Sequence, residues 1–278
     1  MITRIITGFF LVLVAVPVII FSDTIALEIA AGALSGIAVF EMMRCLGLHK
    51  NYFLSIPSYI LAVGIPASVR YISGFESASL GLLAVVYVYA LFVLACAMFS
   101  QGKIRFKDAA KAFMSTMYII CGFSCLVATG GLGHGTFLLV MVLVAAFATD
   151  IFAYFSGMLF GKHKLIPAVS PKKTVEGAIG GTLISAAAFV GCAYLYAHIY
   201  DGVVPNAIPL FVCGVALSIV SQIGDLIASY IKRERGVKDY GKLFPGHGGV
   251  LDRFDSVIAV APILYFMLAN PNLLTIFR

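Results

Sequence analysis

Nine times along this chain a run of about twenty predominantly apolar residues gives way to a short polar segment, and that rhythm limits the folds open to it. A helix needs about 20 such residues to cross the hydrocarbon of a bilayer. The runs fall at 5–22, 25–45, 53–71, 78–99, 112–131, 136–160, 177–199, 207–230 and 255–272, and the third is broken by Pro57 and Pro66. Only 12% of the residues are charged, against about 25% in an ordinary soluble domain. Lipid offers no partners to backbone N–H and C=O groups, so each span must satisfy its own. The expectation is an all-α integral membrane protein of about nine transmembrane helices.

Charge placement tests that count, because cytoplasmic loops collect Lys and Arg. With the N-terminus inside, the inner segments hold Arg4; Arg44 and Lys50; Lys103, Arg105, Lys107 and Lys111; Lys162, Lys164, Lys172 and Lys173; and Lys232, Arg233, Arg235, Lys238, Lys242 and Arg253. Those are 17 of the chain's 19 basic residues, with Arg70 and Arg278 outside. An eight- or ten-helix reading breaks the alternation, so the expected topology is N-terminus in and C-terminus out. The first run has a lone Arg4 as its basic region and no small-residue cleavage site, so it reads as a retained helix rather than a signal peptide. The outer connections are short and nearly uncharged, leaving little room for an extracellular domain.

A net charge of +6 is too small and too local for a nucleic-acid binder. Cys45, Cys96, Cys121, Cys125, Cys192 and Cys213 lie in or beside apolar runs, without a C-x-x-C pair or a histidine cluster that would suit zinc. They read as small buried hydrophobes, with no disulfide framework. Gly157-x-x-x-Gly161 and Gly177-x-x-x-Gly181 have the spacing of close helix packing.

Ionisable groups inside a bilayer are costly, which makes each a functional candidate. Glu28 lies near the outer end of the second run, where it can reach water. Glu41 lies near the inner end of that run, three residues before Arg44, where a helix ion pair accounts for it. Asp150 is about ten residues, or roughly 15 Å of helix rise, from the inner end of the sixth run. It must pair, protonate or face a cavity, and Tyr154 one turn later is its candidate structural partner. Asp225, in "SQIGDLIAS", shares a face with Gln222 and Ser229, and Gly224 admits another backbone beside it.

The richest polar stretch is "KDYGKLFPGHGGVLDRFDS", Lys238 to Ser256. Asp252 and Asp255, three apart, point the same way on a helix and repel unless a cation lies between them. Hard cations such as Mg²⁺ take carboxylate oxygens, and Asp225 could supply a third ligand. The "PGHGG" backbone can approach an anion, with His247 as a phosphate contact or proton carrier. Lys232, Arg233, Lys238, Lys242 and Arg253 surround it with positive charge suited to phosphoryl groups. A second cluster, "SPKKT", brings Ser170, Lys172, Lys173 and Thr174 to the start of the seventh helix, where anions are favoured. Gly157 to Lys162 falls one residue short of a P-loop, and neither G-x-S-x-G nor H-E-x-x-H occurs.

The ordered run Ser229-x-Ile231-Lys232-Arg233, Lys238-Asp239-x-Gly241, Phe244-Pro245-Gly246-His247-Gly248-Gly249-Val250 and Asp252-Arg253-Phe254-Asp255 resembles the signature of the phosphatidate cytidylyltransferase (CDP-diacylglycerol synthase) family. "SPKKTVEG" and Asp150-x-x-Ala153-Tyr154 look like it too, so the resemblance is specific over roughly 147–256. Ala228, where many members carry an acid, and bulky Tyr240 are departures. The resemblance implies one polytopic domain, 1–278, with N-terminal helices over 1–105 and a catalytic part over 106–278. It also implies a polar cavity open to the cytoplasm, a homodimer, and residence in the bacterial inner membrane.

The activity it implies joins CTP and phosphatidic acid, a membrane lipid, into CDP-diacylglycerol and pyrophosphate, using Mg²⁺ or another divalent ion, with a monovalent cation left open. Asp225, Asp252 and Asp255 would be the catalytic, metal-holding acids. Ser170, Lys172, Lys173, Thr174, Lys232, Arg233, Lys238, Asp239, His247, Arg253 and Asp150 would serve the substrates, and which cluster takes which substrate stays open. The alternatives are a CTP-dependent polyprenol or phytol kinase, a cytidylyltransferase for another lipid, and, from a different class, an ion-coupled transporter.

Overall fold

A computed structural model describes residues 2–72, 78–200 and 204–269; Arg278 lies outside them. Their helices are α1 (Ile2–Ile20), α2 (Ala26–Leu46), α3 (Tyr52–Ile72), α4 (Ala78–Phe99), α5 (Phe106–Gly130), α6 (Gly135–Leu143), α7 (Thr149–Phe160), α8 (Val175–Ile199), α9 (Ala207–Glu234) and α10 (Leu251–Ala269). One π-helical turn, Val144–Ala148, joins α6 to α7 into a single rod, so the described residues form nine rods matching the nine apolar runs. Seven are long and apolar enough to cross a bilayer. Pro57 and Pro66 lie inside α3 without ending it.

The chain divides into two compact units. The first comprises Met1–Leu132 and Arg235–Arg253; the second comprises Gly133–Glu234 and Phe254–Arg278. The division falls inside the first turn of α10.

In the first unit α2, α3 and α5 form the buried centre, and α4 packs on α5. Ala38, Val39, Met43, Leu54, Ala62, Ile119 and Phe123 fill it. Gly32 lets α2 approach the backbone of α3, since a Cβ there would lie 2.8 Å from the Val63 carbonyl oxygen. Tyr89 reaches Ser58 Oγ at 2.6 Å and Thr116 at 3.4 Å, so the buried hydroxyls of three helices satisfy one another.

Glu28 does not reach water. It is 2% exposed and pairs with Arg70 at 3.0 Å, while Arg70 also donates to the Ser22 carbonyl at 2.7 Å. A buried carboxylate must be neutralised or paired, and the one basic residue of α3 does the pairing.

In the second unit α7 and α8 cross through small residues. A Cβ on Gly181 would lie 2.8 Å from the Ala153 backbone, and one on Gly177 would lie 2.6 Å from the Ala153 carbonyl oxygen. The G-x-x-x-G spacing thus marks a close helix crossing. Gly214 on α9 meets Ala186 on α8 in the same way, and Gly224 on α9 meets Ala259 and the Asp255 carbonyl on α10. Thr149, fully buried after the π-turn, sits 3.0 Å from Ser185 Oγ and 2.8 Å from Ser218 Oγ. The segment between α7 and α8 is not plain loop. Strands β1 (Lys164–Ile166) and β2 (Ser170–Thr174) pair antiparallel, so the chain is mostly helical rather than purely so. Over the stretch from Gly161 to Thr174 the polar backbone pairs with itself instead of with helix.

All six cysteines are free thiols, and Cys213 alone among them is buried. The others lie at partly or fully exposed helix positions rather than in the core.

Candidate active site

The hairpin of the second unit is fastened at its root. The Thr174 hydroxyl caps α8 by accepting the Gly177 N–H at 3.1 Å. Glu176, in the first turn of α8, accepts the backbone N–H groups of Lys162 (3.1 Å) and His163 (3.2 Å), and the His163 ring Nδ1 donates to it at 2.6 Å. Gly157 and Gly161 leave room for Thr174, because a Cβ on either would come within 2.8 Å of its Oγ1. These contacts set Ser170, Lys172 and Lys173 on the wall of a cavity of about 390 Å³.

That cavity is lined by Asp150, Tyr154, Gly157 and Met158 of α7, by Leu165, Ser170 and Lys172 to Thr174 of the hairpin, by Gly177 and Ala178 of α8, and by Gln222 and Asp225 of α9. Lys173 Nζ lies 2.5 Å from Asp225 Oδ2. Gln222 donates to Thr182 Oγ1 at 2.9 Å, which holds α9 against α8 beside the acid. Asp150 takes a hydrogen bond from Ser256 Oγ at 3.4 Å. Tyr154 is not its structural partner, for that side chain is 67% exposed and stacks edge-on against Phe155. Buried Asp255 lies within electrostatic reach of Asp225, Asp150 and Lys232, and it accepts the Ser256 N–H at 2.8 Å. Lys232 is only 8% exposed, so its charge is turned inward, whereas Arg233 is exposed and donates to the Val169 carbonyl at 3.4 Å. Three carboxylates and two lysines of the second unit therefore share one neighbourhood. One wall of the cavity, Tyr154 and Met158, is apolar and exposed.

The glycine-rich loop belongs to the first unit. Gly246 and Gly248 have φ of +79° and +88°, the left-handed region that only glycine enters without strain. An isolated bridge between Phe244 and Gly248 closes the turn, and the His247 N–H donates to the Phe244 carbonyl at 2.8 Å. Asp252 accepts the backbone N–H groups of Tyr240 (2.8 Å) and Gly249 (2.9 Å) on one oxygen, so it ties the two ends of the loop together. Lys238, Asp239 and Arg253 are exposed. Tyr240 is 2% exposed and part of the core, which gives its bulk beside Gly241 a packing role.

Two contributors escaped the sequence reading. Ser256, the last residue of the polar stretch, serves Asp150. Glu41 does not form the expected helix ion pair with Arg44. Its carboxylate accepts the N–H groups of Val250 and Leu251, while Arg44 donates to the Tyr240 carbonyl at 2.8 Å. Two glycines at the point where Glu41 meets the loop were the available signal.

A family model described as the cytidylyltransferase family matches residues 2–270. The chain belongs to this family. A phosphatidate cytidylyltransferase of Staphylococcus aureus (strain COL) is 35% identical over 265 residues, covering 95% of this chain and 98% of the relative. The protein of that name from Staphylococcus haemolyticus (strain JCSC1435) is 33% identical over 265 residues, with the same shares covered. One from Staphylococcus epidermidis (strain ATCC 12228) is 35% identical over 232 residues, or 84% of this chain and 86% of the relative. Membership makes the chain a nucleotidyl-transferring enzyme, its seven long apolar helices mark it as a membrane protein, and the match extends well beyond the 147–256 segment that carries the resemblance in sequence.

A metal is a separate question. Among the described residues no three His, Cys, Asp or Glu side chains converge closely enough to coordinate an ion together. The chemistry of Asp150, Asp225 and Asp255 nevertheless suits a hard divalent cation, being oxygen-only and anionic. In this structure Lys173 and Lys232 supply the positive charge beside them.

Proposed function

We propose that this chain is a phosphatidate cytidylyltransferase of a bacterial cytoplasmic membrane, joining CTP and phosphatidic acid into CDP-diacylglycerol and pyrophosphate. The observation that carries the reading is the cavity in which Lys173 meets Asp225, with Ser170, Lys172 and Asp150 on its walls and the exposed apolar side chains of Tyr154 and Met158 at its edge. A lipid phosphate needs that combination: cations and hydroxyls for the headgroup, and an apolar border for the glycerol and acyl chains. Names and lengths of the relatives support the same substrates.

A phosphate monoester is already a competent nucleophile, so no covalent enzyme intermediate is needed. An oxygen of the lipid phosphate forms a bond to the α-phosphorus of CTP. The bond from that phosphorus to the α–β bridging oxygen breaks, and pyrophosphate leaves with the electron pair. The protein's task is to position the groups and neutralise their charge. Ser170, Lys172, Lys173 and Thr174 hold one anionic group. Lys232, Arg233, Lys238, Asp239, His247 and Arg253 attend to the other, with the loop backbone. Asp225 and Asp255, together with the motif's Asp252 one helical turn earlier, would hold Mg²⁺, which when bound neutralises phosphoryl charge as a Lewis acid. The basic residues favour an active site on the cytoplasmic side, N-terminus in and C-terminus out, and the family resemblance favours a homodimer.

The test is purified protein with CTP, phosphatidic acid and Mg²⁺, scored for pyrophosphate and CDP-lipid together. CTP consumption with phosphorylation of a polyprenol, or ion movement in proteoliposomes without CTP turnover, would overturn the proposal.

A further inference from the structure

Glu41 lies five residues before the end of α2, is 3% exposed, and reaches a segment more than two hundred residues away. Its Oε1 accepts the Val250 N–H at 3.1 Å and its Oε2 accepts the Leu251 N–H at 2.9 Å. Leu251 opens α10, and the first N–H groups of a helix have no carbonyl within the helix to receive them. Such groups are usually capped by a side chain just upstream, and negative charge is favoured there. Here the residue just upstream is Val250, preceded by Gly248 and Gly249, none with a side chain that can accept a hydrogen bond, and the cap comes from another helix.

The same patch is fastened twice more, by Arg44 on the Tyr240 carbonyl and by Asp252 on the Tyr240 and Gly249 N–H groups. A Cβ on Gly241 or on Gly249 would run into the Glu41 carboxylate. These two glycines are not in the left-handed region, so their requirement is space. One acid, one guanidinium and two bare backbone positions thus interlock, all within the first unit.

We propose that Glu41 is a positioning residue for the glycine-rich loop: it sets the register of residues 240–252 and thereby the placement of Asp252, without touching substrate. Arg44 seconds it, and Gly241 and Gly249 exist to admit its carboxylate. The link to turnover rests on the cytidylyltransferase reading, but the geometry does not, so the test reads both.

Two variants are compared with the wild type in detergent. Glu41→Ala removes both acceptors; Glu41→Gln keeps the shape and one acceptor, and it carries the test if the alanine variant fails to fold. Without CTP or metal, amide exchange at residues 249–251 should speed by about tenfold or more in Glu41→Ala and less in Glu41→Gln, while α4 and α5 keep their protection. With substrates, kcat should fall by up to about 10²-fold, since small misplacements at a reacting centre cost that much, while KM for phosphatidic acid stays within about twofold. Gly249→Ala alone should lose activity, whereas adding it to Glu41→Ala should cost little more, because the obstructing carboxylate has gone. Unchanged exchange at 249–251, or losses that simply multiply in the double variant, would overturn the proposal. If the wild type makes no CDP-lipid, the cytidylyltransferase reading falls while the exchange result still decides the role of Glu41.

Discussion

Lys173 on the hairpin and Asp225 on α9 are joined by a 2.5 Å ion pair inside the cavity, with side chains 23% and 24% exposed. The pair links two segments separated by about fifty residues and neutralises one acid of a crowded group. Asp225→Asn should reduce turnover by about 10³-fold or more, as expected when a transition-state charge stabiliser is lost. Its thermal unfolding in detergent should stay within a few degrees of wild type. Near-normal turnover in that variant would remove Asp225 from the proposed metal and phosphate site.

Thr174 caps α8 and is wedged beside Gly157 and Gly161. Thr174→Val should remove the cap and cost about 1 kcal/mol, the usual value for a lost N-cap hydroxyl. Thr174→Ser should retain most of it. Denaturation midpoints of the three proteins in one detergent check the ranking, and a valine variant as stable as wild type would contradict it.

The crossing of α7 and α8 tolerates no side chain at Gly181, where a Cβ would lie 2.8 Å from the Ala153 backbone. Gly181→Val should destabilise by at least about 1–3 kcal/mol, the range typical of overpacking. Gly191, on the same helix with nothing within 4 Å of its added Cβ, is the control. Gly191→Ala should be neutral or stabilising by up to about 1 kcal/mol, from helix propensity alone. A lowered midpoint for Gly181→Val beside an unchanged or raised one for Gly191→Ala is the expected result.

Arg70 is the partner of buried Glu28. Arg70→Met should cost about 3–5 kcal/mol, because it strands an uncompensated carboxylate. Adding Glu28→Gln should return a good part of that loss. A double-mutant cycle on unfolding midpoints measures the coupling, and simple additivity would show that the pair is not a unit.

How far the fold was legible follows from which forces act locally. Bilayer thickness imposes a length on every span, so the runs 5–22 to 255–272 are readable one by one and match the nine rods. The G-x-x-x-G spacing also carries its own meaning, because the glycines that allow α7 and α8 to touch are on the helices that touch. The hairpin at Lys164–Thr174 was hidden, since its strands are only three and five residues long and rich in lysine. Glu28 and Glu41 were misjudged for a different reason. Each is satisfied by a group remote in sequence, and a helix-local view offers only water or the nearest arginine. In the site, Asp225 and the Ser170–Thr174 segment could be proposed together from their chemistry, whereas Ser256 as the donor to Asp150 needed the packing of α10 against its neighbours.

The five-residue π-turn at Val144–Ala148 has a consequence for what this chain can become. A wide turn holds one residue more than an α-turn. Because the wide turn takes up the added residue, deleting one residue there should close the bulge and leave α6 and α7 facing nearly the same way, with Phe137 and Leu138 on one side of it and Thr149 and Asp150 on the other keeping their neighbours. What would change is local: Thr149 Oγ1 donates to the Ala145 carbonyl at 2.7 Å and Ser221 Oγ on α9 to the Ala146 carbonyl at 3.3 Å. The bulge is a polar foothold in an apolar rod, and closing it would leave the Ser221 hydroxyl to find another acceptor.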